Sequence, residues 1–114
     1  MKGISTHVLD TAVGKPAEGV VIKLERNMPG AGWTVLAEAV TDSSGRVAQL
    51  IPANDHLHLG SYRLRFEVEA YFADQQKETF FPAVWGEFEI RDDMSHYHVP
   101  LLIAPYGYTT YRGS

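Results

Sequence analysis

His96-Tyr97-His98-Val99-Pro100-Leu101-Leu102-Ile103-Ala104-Pro105-Tyr106-Gly107-Tyr108-Thr109-Thr110-Tyr111-Arg112-Gly113-Ser114 closes a chain of 114 residues, and its periodicity decides how the rest is read. With the two-residue period of a strand, Tyr97, Val99, Leu101 and Ile103 share one face while His96, His98, Pro100 and Leu102 share the other. One face suits a core; the other carries chemistry. Pro105, Tyr106 and Gly107 signal a turn, and residues 108–112 are rich in aromatic and β-branched side chains, which predicts a returning strand. Chain ends usually fray. One so rich in structure-forming residues, finishing at Ser114 with a free carboxylate, is expected to pack against something. Pro100 has no N–H for a ladder and is expected only at an edge or a bulge.

Working outward, residues 84–91 alternate Val84, Gly86, Phe88 and Ile90 with Trp85, Glu87, Glu89 and Arg91, and Asp92-Asp93-Met94-Ser95 turns the chain into the terminal pair. Residues 61–69 form the most regular strand, Tyr62, Leu64, Phe66 and Val68 alternating with Arg63, Arg65, Glu67 and Glu69. Residues 70–77 lose the alternation and predict about two turns of helix; Thr79-Phe80-Phe81-Pro82 predicts a loop with aromatic anchors. Towards the start, strands are expected over 4–10, 19–26, 33–39 and 47–50. Gly14-Lys15-Pro16 is expected to be a loop, Thr41-Asp42-Ser43-Ser44-Gly45 a hairpin turn with Arg46 just after it, and Pro52-Ala53-Asn54-Asp55 a strand end. About eight short strands at regular spacing and one brief helix predict an all-β, two-sheet antiparallel sandwich.

The length predicts one domain over residues 1–114. Fourteen acidic and ten basic residues are scattered without blocks, giving a formal charge of -4 and no basic patch, so nucleic acid is not an expected partner. There is no cysteine, hence no disulfide or thiolate metal site. No apolar run approaches the roughly 20 residues that span a bilayer, and the first residues lack a signal-peptide core. No membrane association is expected. The expected compartment is the cytoplasm, or the periplasm if a leader has been removed. Leu9 beside His7, and Pro100 and Leu102 beside His98, put apolar groups on the side opposite the presumed core. That arrangement predicts a face covered by a second copy of the chain.

Five histidines fall as His7, the pair His56 and His58, and the pair His96 and His98. A His-x-His on a strand presents both rings on one face, as some metal sites require, but no third ligand stands at a recognisable spacing. His56 and His58 are expected to be solvated. His7, His98 and Arg46 suggest a different chemistry: imidazole exchanges protons near neutral pH, and guanidinium holds an oxyanion or an anionic substrate. Spacing alone supports this weakly. The chain has neither a Gly-x-Ser-x-Gly nucleophile motif nor a phosphate-cradling glycine loop.

Nearly end to end, the chain resembles the transthyretin-like 5-hydroxyisourate hydrolase family of purine catabolism. The resemblance lies in Ser5-Thr6-His7-Val8-Leu9-Asp10-Thr11-Ala12-Val13-Gly14-Lys15-Pro16-Ala17, in Thr41-Asp42 through Gly45-Arg46, in Phe80-Phe81-Pro82, and most specifically in His96-Tyr97-His98-Val99-Pro100 with the terminal Tyr111-Arg112-Gly113-Ser114. It implies a transthyretin-type sandwich that pairs through edge strands and assembles into a homotetramer with a central channel. It also implies hydrolysis of 5-hydroxyisourate, a product of urate oxidation, to a ureidoimidazoline, with no metal or other cofactor. His7, Arg46 and His98 are then the catalytic set and Tyr111 and Ser114 close on the substrate. The resemblance, not parity, selects His98 over His96, which becomes a supporting histidine. Ile103-Ala104 and Thr109 depart from the Leu-Ser and Ser common in the family, and neither bears on a catalytic group.

Two other readings compete: a transthyretin-like carrier that holds a small ligand without chemistry, and a structural sandwich that displays loops. A carrier has no need of His7, Arg46, His98 and the segment from Tyr111 to Ser114. A structural sandwich predicts an unremarkable carboxy terminus.

Overall fold

The structure, a computed structural model, describes residues 3–51 and 56–114, so the strand end expected at Pro52-Ala53-Asn54-Asp55 lies outside the described residues. The most regular alternation becomes β6 (Gly60–Phe66), whose Tyr62, Leu64 and Phe66 are fully buried. It pairs with β3 (Val21–Met28) and β7 (Val84–Ile90), and β3 pairs with β4 (Gly32–Val40), giving an antiparallel sheet of order β4-β3-β6-β7. Leu36 is the extra residue of a bulge on β4, where the register steps from Ala37 to Val35.

The second sheet is built on β1 (Gly3–Asp10), flanked on one side by β8 (His96–Ala104) and then β9 (Gly107–Thr110). Two short strands share the other edge of β1: β5 (Arg46–Val47) against Thr6 and His7, and β2 (Lys15–Pro16) against Leu9 and Asp10. Ile4 and Val8 of β1 with Tyr97, Val99, Leu101 and Ile103 of β8 face the first sheet across one hydrophobic cluster. The core face expected of the terminal stretch is therefore the one that is buried. Helix α1 (Val68–Ala73) adds Val68 and Phe72, one turn apart, to the same cluster. Among the described residues no helix is long and apolar enough to cross a membrane.

The structure departs from expectation at six places. The helix spans Val68–Ala73 instead of 70–77, and the strand expected to reach Glu69 stops at Phe66: Val68 continues the alternating pattern of β6 and also starts the i, i+4 pair with Phe72, so the two periods coincide there. Residues 41–45 have the expected turn chemistry but do not join a hairpin: they carry the chain from β4 in one sheet to β5 in the other. The predicted strand 47–50 shrinks to β5, although the Leu50 N–H still donates to the Ile4 carbonyl at 2.8 Å. Lys15–Pro16, expected as a loop, folds back as β2, because the turn at Gly14, whose N–H donates to Asp10, returns the chain along β1. β1 and β8 run parallel, whereas every other pair is antiparallel.

Pro100 is the sixth. It sits in the interior strand β8, not at an edge. The His98 carbonyl accepts from Gly113 N–H on the β9 side, so Pro100, two residues on, turns its missing N–H to that side as well. There the ladder is interrupted between Thr110 and Gly113, and the Thr110 hydroxyl donates to the Pro100 carbonyl at 2.7 Å. An edge exists locally within an interior strand.

Candidate functional site

The turn after β4 places Arg46. Asp42 Oδ1 accepts from the backbone N–H of Ser44 and of Arg46, each at 2.9 Å, and Gly45 takes a φ of 75°. A Cβ at Gly45 would stand 2.3 Å from the Val8 carbonyl oxygen, so only glycine fits this approach of turn to strand. The same bonds, that from Arg46 N–H first, hold the Asp42 carboxyl below the usual carboxylate range. Arg46 then pairs with His7, and His7 with Pro100, across three adjacent strands.

One row away, Ser5 pairs with His98. Paired residues share a face, so the face that bears the β8 histidines also bears Ser5, His7 and Arg46. Ser5 Oγ lies 2.7 Å from His98 Nδ1 and 2.7 Å from His96 Nε2. His7 Nε2 donates to the Ser44 carbonyl at 2.8 Å. Burial, and then the neighbouring His7, His96 and Arg46, push the His98 imidazole below its ordinary value.

Arg46, His96, His98 and Ser114 line one open hollow of about 380 Å³, together with Ser5 and Asp42. The sequence pointed to Arg46, His98 and Ser114 here, and the fold brings them together from β5, β8 and the carboxy-terminal segment. Gly113 forms a bridge with His98, and a Cβ there would stand 2.6 Å from His98 Cδ2 and 3.1 Å from Pro100 Cγ. This segment therefore covers Pro100, which is buried within the single chain. Leu9 and Leu102 remain half-buried, so the expectation of a covering second copy rests on these two residues and no longer on Pro100.

His7 is beside the hollow rather than among its lining, held towards the Ser44 turn. Tyr111 is not gathered in. It is 54% exposed and lines a separate groove with Tyr97, Val99, Thr110 and Arg112, where the Arg112 guanidinium stacks 4.5 Å over the Tyr97 ring. The rings of His56 and His58 meet edge-on, away from the hollow. Among the described residues no three or more His, Asp or Glu side chains converge as a metal-binding group. Ser5 is the site residue that sequence reasoning passed over. Its parity with His7 was a signal, but its reach to two histidines depends on the parallel β1–β8 register, which no local pattern encodes.

Such a hollow can bind a small, polar, partly anionic molecule, present a guanidinium to developing negative charge and exchange protons through imidazole. Residues 4–113 match the family model described as HIUase/Transthyretin family. A 5-hydroxyisourate hydrolase of Salmonella dublin is 45% identical over 111 residues, covering 97% of this chain and 80% of that protein. The structure of Klebsiella pneumoniae 5-hydroxyisourate hydrolase superposes with a TM-score of 0.85 at 42% identity, covering 100% of this chain and 94% of that one. Sea bream transthyretin in complex with thyroxine superposes with a TM-score of 0.89 at 31% identity, covering 96% and 93%.

Proposed function

Because the chain belongs to the HIUase/transthyretin family, we propose that it is an enzyme that hydrolyses 5-hydroxyisourate. The observation that carries this is the convergence of Arg46, His98 and Ser114 on one hollow, with His7 one strand pairing from Arg46. A water oxygen bonds to a ring carbonyl carbon while one histidine takes its proton, and Arg46 and the other histidine hold the charge that develops on the carbonyl oxygen. The ring C–N bond then breaks. The nitrogen takes a proton and becomes the ureido group, and the attacked carbon becomes a carboxylate. The product is 2-oxo-4-hydroxy-4-carboxy-5-ureidoimidazoline, and the chemistry asks for no metal.

His7, Arg46 and His98 are the proposed catalytic residues and Ser114 borders the substrate. Tyr111, exposed in the single chain, reaches substrate only across an interface. This fits a homotetramer in which the face carrying Leu9 and Leu102 is covered by a second copy and the site opens into a channel between subunits. The carrier reading draws on the likeness to sea bream transthyretin, and the fold alone does not separate the two.

The test is ultraviolet decay of 5-hydroxyisourate generated in place from urate by urate oxidase, with and without the protein and with chelator present. Acceleration that survives the chelator is the expected result. No acceleration by an intact assembly would overturn the hydrolase reading in favour of the carrier.

A further inference from the structure

We propose that Ser5 is a positioning residue that fixes the proton of His98 on Nε2, making His98 a neutral hydrogen-bond donor to substrate and leaving His7 as the proton acceptor. This rests on the hydrolase reading and assigns the roles within it.

The argument is proton bookkeeping. Ser5 has one hydroxyl hydrogen and two imidazole nitrogens at 2.7 Å; accepting from both rings would leave that hydrogen, on a residue only 8% exposed, with no other acceptor among the described residues, so Ser5 donates to one ring and accepts from the other. If it donated to His96 Nε2, a neutral His96 would carry its hydrogen on Nδ1. That atom is buried with no hydrogen-bond partner, and an orphaned buried N–H is the rarer and costlier state. A cationic His96 would place a hydrogen there too. The arrangement that avoids the orphan donor runs the other way: His96 Nε2–H donates to Ser5, and Ser5 donates to His98 Nδ1. Nδ1 of His98 is then bare, and its hydrogen sits on Nε2, the nitrogen left for the hollow.

His7 is constrained separately. A carbonyl oxygen only accepts, so Nε2 of His7, bonded to the Ser44 carbonyl, carries the hydrogen and Nδ1 keeps its lone pair when the ring is neutral. Chemically similar side chains thus acquire opposite roles. The water gives a proton to His7 Nδ1 as its oxygen bonds to the carbonyl carbon. His98 Nε2–H and the Arg46 guanidinium hold the resulting oxyanion. His7 then returns its proton to the nitrogen as the C–N bond breaks, and His98 is never deprotonated. A neutral imidazole acting as electrophile has precedent in enzymes that keep that ring uncharged.

The experiment is long-range 1H–15N correlation spectroscopy of the wild-type protein with ring-labelled histidine, combined with kinetics of Ser5→Ala and Ser5→Thr. Expected in the wild type is a protonated Nε2 and a bare Nδ1 on His7, His96 and His98 alike. In Ser5→Ala the His98 preference is lost and kcat falls about 10- to 100-fold with KM changed less than about threefold, in keeping with a weakened oxyanion donor. Ser5→Thr, which keeps the hydroxyl, restores both. A wild-type His98 protonated on Nδ1 overturns the proposal whether or not Ser5→Ala folds. A Ser5→Ala enzyme whose His98 tautomer is unchanged while kcat falls also overturns it, with the hydrolase reading intact. Absence of turnover in the wild type overturns the hydrolase reading and with it the assigned roles, while the spectrum still decides the proton's place.

Discussion

His98 lies at the boundary between core and solvent, one residue from Tyr97 and Val99 of the core yet half-buried itself. His98→Ala is accordingly expected to leave the far-ultraviolet circular dichroism unchanged while lowering kcat/KM by about 10²- to 10⁴-fold, the range for loss of a proton-handling or oxyanion group. Gly113→Ala acts on the same ring by contact. The added Cβ would meet His98 Cδ2 at 2.6 Å, so either the imidazole or the terminal segment moves, and activity is expected to fall by about tenfold or more, since small misplacements of catalytic groups cost that much. Burial of His98 also couples folding to pH. The unfolded chain protonates it near the ordinary value of about 6.5 while the folded chain does so at lower pH, so between the two the unfolded state binds more protons. Stability is present above that window and is lost as pH falls through it. Urea midpoints taken at pH 7.5 and 5.5 are expected to fall further for the wild type than for His98→Gln.

Among the elements, the outer face of the β4-β3-β6-β7 sheet is held by a stack of charge and rings. The Arg63 guanidinium lies 4.2 Å from the ring centroids of both Trp85 on the adjacent β7 and Trp33 on β4, one strand further across the same face, and its Nη2 bonds Glu25 at 2.8 Å. Register explains the set, since Arg63 is directly opposite Glu25 on β3 and Glu87 on β7. Glu25 is only 8% exposed, so removing Arg63 strands a buried carboxylate and loses two cation–π contacts. Arg63→Ala is expected to cost about 2 to 3 kcal/mol in chemical denaturation, discounted from a fully buried pair because Arg63 is partly exposed. Arg63→Lys is expected to recover only part, lacking the planar fork that stacks and binds at once. On the other sheet, the buried Asp10 accepts from Tyr71 Oη at 2.8 Å and from the Ala12 N–H, tying α1 to the end of β1. Burial first, and then that carboxylate, raise the Tyr71 phenol above its ordinary value.

In the whole molecule the two sheets enclose one apolar cluster, and the site is built on the outer face of one of them, on strands rather than on long loops. Rigid strands suit a site whose groups must keep their spacing. If the tetramer forms through that outer face, Leu102→Glu is expected to lower the mass seen by light scattering from four chains to fewer while the core, which Leu102 does not enter, stays folded. An unchanged mass would place the interface elsewhere. The sandwich was legible because alternation survives in Tyr62, Leu64 and Phe66 and in Tyr97, Val99, Leu101 and Ile103, all buried as expected, even though the bulge at Leu36 breaks the period in β4. Arg46, His98 and Ser114 were legible as members of one site through family resemblance, not through spacing. By itself the sequence determined the faces of its strands, the turn chemistry of Asp42 and Gly45, and the residue types available for proton transfer, because these follow from the two-residue period and from local hydrogen bonding. The parallel pairing of β1 with β8, the interior position of Pro100, the bridging of His96 and His98 by Ser5 and the turning away of Tyr111 were decided only in the tertiary structure. Each depends on which strands meet and in what register, and that is settled by burial summed over the whole sandwich rather than by any neighbour along the chain.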